Sequence, residues 1–421
     1  MPDENNFHHA QYSRSDTGDR IRYLTLETGA PPFSQAWNDT LSLAGKTLYD
    51  AGVRIVILLY GSYFGTDLFG SGRLDEIGGL KRGYSRGIPG MESLLALLRP
   101  KDYQEGPKDF GLSPPYANDE ATKTWLDQHA KDLGNFTADY ERGLREGFSS
   151  SDSTPIACVR HLWSSLNHHL GRMEGAFTLF HDISTLKQQF NLNETHRVLI
   201  LAHGHAGQLA ALLSNLLAQE ESLVRDELFE TTAHHYGQFD PPRPAVTFLQ
   251  ELGQFLAANQ QATFPALDIV TLGTSVRYGW NTNGIGKLLH MINHRPIRSD
   301  GKKWLAKMDL PQIVMEMPTV LGGDYVQQLA VASTDAVLST PLEEELNQTL
   351  QENLEPYHGF ERWLECARRV TRCPNDGRCL LIDYGDAGED SPSRHLYGHG
   401  CYTRLSALLF QTQQIIKTLY S

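Results

Sequence analysis

The sequence predicts an α/β fold, a mostly parallel sheet with helices on both faces. Two observations carry that expectation. Short apolar runs rich in Val, Ile and Leu recur along the chain, mostly bounded by Gly, Pro or Asp. Continuous runs of that length fit strands buried on both faces. Stretches of helical periodicity fall between several of them, as βαβ units require.

The expected strands are Arg54–Leu59 (RIVILL), Pro155–Leu162 (PIACVRHL), Arg197–Ala202 (RVLILA), Asp268–Leu272 (DIVTL), Gln312–Met317 (QIVMEM) and Arg378–Asp383 (RCLLID). Ile21–Glu27 alternates and is a further candidate. Gln208–Gln219 sets Leu209, Leu212, Leu213, Leu216 and Leu217 on one helical face. Leu166–Phe190 does the same with Leu170, Met173, Ala176, Phe177 and Phe180, and Ser406–Leu419 is expected to be a C-terminal helix.

At about 150 residues per domain, 421 residues suggest two or three domains or one enlarged by insertions. Residues 66–150 and 220–265 fit the alternation poorly, being rich in Gly, Pro and charge. They are expected to be insertions forming a cap or lid over one end of a single domain spanning 1–421. Hydrophobic residues at 40% and charged residues at 21% are ordinary for a globular chain. A net charge of −13 argues against nucleic acid or an anionic membrane as the main partner. No window approaches the roughly 18 apolar residues of a transmembrane segment. The first twenty residues are polar and show no secretory leader, so a cytoplasmic location is expected. Of five cysteines, Cys366, Cys373 and Cys379 are near one another without a CxxC spacing, which favours reduced thiols over zinc. No metal is expected. His168 and His169 would point about 100° apart on a helix, and with Asn167 and Arg172 they form a polar rim or support the sheet. The pairs His8–His9 and His234–His235 are expected at the surface.

The most informative segment is Arg197–Leu217, RVLILAHGHAGQLAALLSNLL. A buried strand ends in a turn of small residues (Ala202, Gly204, Ala206, Gly207) and enters a helix at once. That strand–turn–helix arrangement is a nucleophile elbow, which aims backbone N–H groups of the helix start at a developing oxyanion. Here the chain resembles the α/β-hydrolase superfamily, particularly its lipase- and esterase-like members. That family writes the turn as G-H-S-x-G-G, where this chain has Ala202-His203-Gly204-His205-Ala206-Gly207. The nucleophile position falls on Gly204, and glycine has no side chain to attack a carbonyl. Three readings stay open: a Ser→Gly substitution in an active hydrolase, a natural pseudo-hydrolase acting as a binding or scaffold protein, and a tight turn that uses glycine for its backbone alone.

The resemblance extends along the chain in the family's order. Leu58–Gly70 (LLYGSYFGTDLFG) stands where the family has its oxyanion loop, with Tyr60 in place of the usual His and Gly61 and Ser62 following; the His205 amide is the second oxyanion donor. Asp268–Trp280 (DIVTLGTSVRYGW) is similar to a Gly-Thr-Pro-His pocket segment, with Ser275 where proline is common. The acid is expected at Asp324 in MPTVLGGDYVQ, with Asp335 as runner-up. The base is expected after the last strand at His399, with His395 as the alternative; Asp383 and Asp386 lie very close to that loop. The resemblance implies ester hydrolysis by acyl transfer to water, on a small-molecule ester, with this chain nearly inactive by that route. Phe64, Phe69, Tyr84, Tyr103 and Phe110 permit an apolar substrate. No cofactor is expected, because HGHAG has neither the GxGxxG spacing nor a Walker ending. The sequence does not set the oligomeric state.

Overall fold

The computed structural model describes residues 21–61, 120–149, 156–166, 168–218, 223–239, 243–294, 323–324, 326–327, 340–354, 373–374, 376–385 and 398–421. Among the described residues, seven strands form one parallel sheet: β1 (Ile21–Thr25), β2 (Val53–Leu59), β3 (Ala157–His161), β4 (Arg197–His203), β5 (Ala266–Leu272), β6 (Lys287–Asn293) and β7 (Arg378–Asp383). Their order across the sheet is β1-β7-β6-β5-β4-β2-β3, and every neighbouring pair is parallel. The α/β fold with helices on both faces is therefore present.

Strand β6 is not anticipated by the sequence reading, and the expected strand Gln312–Met317 lies outside the described residues. In KLLHMIN a lysine, a histidine and an asparagine break the apolar run. The interior accepts His290 because Thr271 of neighbouring β5 meets its Nδ1 at 2.7 Å. Buried polar groups with such partners are tolerated, but they erase the pattern that identifies a strand.

Side chains of each strand alternate between two cores. Ile55, Ile57, Val198, Ile200, Leu267 and Ile269 face one core, where they meet α4 (His169–Gln189), α5 (Ala206–Leu216), α6 (Leu223–Gly237), α7 (Pro244–Ala257) and α8 (Pro341–Leu354). Val56, Leu58, Leu199, Leu201, Val270 and Leu272 face the other, with α1 (Gln35–Asp50), α2 (Glu120–His129), α3 (Ala138–Ser149) and α9 (Leu405–Ile415). Helix α1 shows why such segments are helical. Ser34 caps its start by accepting from the Trp37 amide, and Trp37, Leu41, Ala44 and Leu48 recur on one buried face. Within the stretches read as insertions, α2 and α3 belong to the second core, and α6 and α7 to the first. Residues 66–119 lie outside the described residues.

The bottom of the sheet is closed by the chain's last turn. Tyr420 donates to Asp268 Oδ2 at 2.6 Å, while Arg197 holds Asp268 Oδ1 at 2.6 Å. Lys287 donates to the Leu419 carbonyl, and Arg378 to the Thr418 carbonyl at 2.7 Å. These cations satisfy carbonyls that a helix end leaves without partners.

One expectation about histidines is corrected. His235 is 4% exposed, not a surface residue. Its ring packs on Tyr236 and Phe239, and burial pushes its pKa down to about 4. His8–His9 lie outside the described residues.

Glu174 on α4 is also fully enclosed. Tyr236 of α6 donates to its Oε2 at 3.3 Å, and Oε1 has no hydrogen-bond partner among the described residues. Burial raises its pKa from 4.5 to about 7, with Arg243 opposing. The folded state thus binds more protons than the unfolded chain between those values, and stability declines as pH rises from 4.5 to 7. Glu174→Gln abolishes that decline. Relative to the parent, the variant is expected to gain up to ~3 kcal/mol between pH 4.5 and pH 7.5 in urea unfolding. A difference that does not change with pH would show that Glu174 is not the titrating group.

Candidate active site

In open parallel sheets, ligand crevices lie at the carboxyl ends of strands where the chain's winding reverses. Here that point is between β2 and β4. The chain moves outward from β2 to the edge strand β3, then returns to β4 and continues the opposite way. The helices α2 and α3 that follow β2 lie on one face, and α5, which follows β4, lies on the other. Gly61 leaves β2 and Gly204 leaves β4 at this point, and the hypothetical Cβ of Gly204 would stand 3.8 Å from the Gly61 Cα.

The turn at Gly204 is tight. Its φ is +53°, a left-handed conformation that costs a side-chain-bearing residue about 1–3 kcal/mol. Its N–H donates to the Leu272 carbonyl at 2.9 Å, and its own carbonyl accepts from Thr274 Oγ1 at 2.8 Å. Helix α5 starts at Ala206, so its first amides stand beside the turn. Gly207 is required for a different reason: a Cβ there would overlap Thr274, which packs against the helix start.

Asp324 and His399 meet opposite Gly204. His399 Nδ1 lies 2.7 Å from Asp324 Oδ2. A carboxylate can only accept, so Nδ1–H donates to it, and Nε2 lies on the side of the turn. A Cβ built on Gly204 would lie 2.7 Å from that Nε2. Asp324 has no exposure and receives two further donors: Tyr402 Oη to Oδ2 and the Gln327 amide to Oδ1, each at 2.8 Å. Tyr402 in turn accepts the Asn293 amide at 2.7 Å, and the Asp324 amide donates to the Asn293 carbonyl at 3.0 Å. Asp324 is thereby fixed to the end of β6. Burial, with Asp324 next, holds the Tyr402 pKa well above its ordinary value, so it stays a donor.

His203, the last residue of β4, holds His399. Its Nε2–H donates to the His399 carbonyl at 3.0 Å, and the two rings lie 4.4 Å apart. Burial, and then the His399 ring beside it, lowers its pKa to about 3.

The structure therefore brings together Gly61, the adjacent pair Gly204 and His205, Asp324 and His399, from four distant parts of the chain. Ser62, Asp335, His395, Asp386 and Asn167 lie outside the described residues. Asp383 accepts from the Gly385 amide at 2.9 Å and so closes its own turn. Tyr60 has a structural place: its hydroxyl donates to the Phe136 carbonyl at 2.7 Å and meets Arg160, which is paired with Asp127. Ser275 accepts from Gln208 of α5 at 2.7 Å. His168 caps α4 by accepting from the Gly171 amide, whereas His169 meets Tyr278, so the two do not converge. Among the described residues there is no cluster of three potential metal ligands. Tyr402, Gln327 and Asn293 are additions that sequence reasoning did not supply. No local pattern marks Tyr402, which lies in the turn three residues after His399.

The His203 shift has a signed consequence. Between pH 3 and 6.5 the folded state binds fewer protons than the unfolded chain, so stability present above pH 6.5 is lost as pH falls. His203→Asn keeps a side-chain donor without the titration. Its melting temperature is expected to fall less than the parent's between pH 7 and pH 4.5; equal falls would show that His203 is not responsible. The chain matches no family model, no curated protein and no solved structure.

Proposed function

We propose that this is an α/β-hydrolase-like site for ester hydrolysis whose nucleophile position is held by Gly204. One observation carries the reading: a side chain at position 204 would start beside Nε2 of a histidine whose Nδ1 is held by a buried carboxylate. That is the relation of nucleophile, base and orienting acid in acyl transfer. A serine at 204 would give its proton to His399 as it attacks an ester carbonyl, Asp324 would hold the imidazole tautomer, and amides of Gly61 and His205 at the helix start would face the oxyanion. As it stands the chain has no oxygen at this position, so it binds the ester and forms no acyl-enzyme. The partner is a small-molecule ester, for which no cofactor is invoked. No described helix is long and apolar enough to cross a membrane.

One observation favours a second reading, a natural binding protein on the same frame. The His399 imidazole stands so close to Gly204 that an added Cβ meets Nε2 at 2.7 Å, inside ordinary contact. The site is fitted to glycine, and the ring must retreat by several tenths of an ångström to admit serine.

Gly204→Ser separates the two. On p-nitrophenyl acetate and butyrate the variant is expected to exceed the parent by roughly 10²-fold or more, and His399→Ala in the same background removes the gain. A Gly204→Ser protein with the parent's circular dichroism spectrum that leaves every ester, thioester and amide untouched would overturn the hydrolase reading and leave the binding protein.

A further inference from the structure

Two thiols stand together at the other end of the sheet from Gly204. Cys379 is the second residue of β7, level with Ile21 of β1 and His290 of β6, and has no exposure. Cys373 lies on the segment leading into β7 and is 8% exposed. Their sulfurs are 3.3 Å apart. The segment between them turns back at Gly377, whose φ is +70°. Ile292, Leu381 and Tyr23 pack around the pair, leaving it in an apolar setting. A disulfide needs the sulfurs at about 2.04 Å, so closure from 3.3 Å requires an approach of little over an ångström.

We propose that Cys373 and Cys379 are an oxidation site, closed to an internal disulfide by exchange with a small disulfide such as oxidised glutathione. The Cys373 thiolate, the more exposed of the two, attacks one sulfur of the oxidant. A mixed disulfide forms and one glutathione thiol leaves. The Cys379 thiolate then attacks the Cys373 sulfur and expels the second glutathione thiol. Two protein thiols lose two protons and two electrons, and the oxidant's disulfide takes them up as two thiols. The bond ties the turn at Gly377 to the start of β7 and restricts the unfolded chain, which raises the melting temperature. The inference does not depend on the reaction proposed for Gly204.

Tryptic peptides test it on the unaltered protein. Cleavage after Arg372 and Arg378 places the two cysteines on separate peptides, Cys373–Arg378 and Cys379–Arg394, with Cys366 on a third, Trp363–Arg368. After native incubation with oxidised glutathione, the first two are expected as one linked species that a reductant separates. The melting temperature should rise on oxidation and return on reduction. Cys373→Ala, folded as judged by circular dichroism, should lose both responses. Recovery of the two peptides unlinked, with alkylated or glutathionylated cysteines, would overturn the proposal, as would a link through Cys366.

Discussion

A carboxylate with no access to water must be given donors, and Asp324 draws its three from two segments. His399 and Tyr402 come from the loop before α9, and the Gln327 amide from the turn that follows the acid. Asn293 at the end of β6 then binds both the tyrosine hydroxyl and the Asp324 backbone. Removing any of these donors leaves a buried charge less satisfied, at a cost of about 1–3 kcal/mol. The carboxylate thus joins the end of one strand to the loop that leaves its neighbour. The position of His399 against Gly204 follows from that attachment.

The parallel register supplies the other half of the arrangement. β2, β4 and β5 are neighbours in step, so Gly61, Gly204 and Thr274 leave the sheet side by side. The turn at Gly204 is then held from two sides, by the Leu272 carbonyl and the Thr274 hydroxyl. Neither contact involves a side chain at 204. The backbone turn is therefore held without help from position 204, and a side chain placed there would strain the left-handed backbone and displace the His399 ring.

Most of the sheet was legible because strands buried on both faces are uninterrupted apolar runs, as in VRIVILL, RVLILAH and RCLLID. β6 was not, because His290 and Asn293 find partners that only the assembled sheet provides. Helix α1 carries a readable signal in Ser34 and the spacing of Trp37, Leu41, Ala44 and Leu48, yet its short apolar positions are diluted by polar neighbours. Gly204 and His399 could be placed from turn composition and chain order. Asp324 could be placed by order alone, since the contacts that distinguish it from any other turn aspartate come from residues 75 and 78 positions away. Tyr402 and His203 act through geometry that no local pattern encodes: a hydroxyl shared by an acid and an amide, and a ring that reaches a carbonyl across the site.

The last turn of the chain bears on how the protein is made. Asp268 sits at zero exposure in β5, and the partner of its Oδ2 is Tyr420. During synthesis β5 leaves the ribosome long before that tyrosine does. Until residues 416–420 emerge, one carboxylate oxygen at the floor of the sheet lacks its donor, and Lys287 and Arg378 lack the carbonyls they hold. Closure of the floor thus waits on residues 416–420.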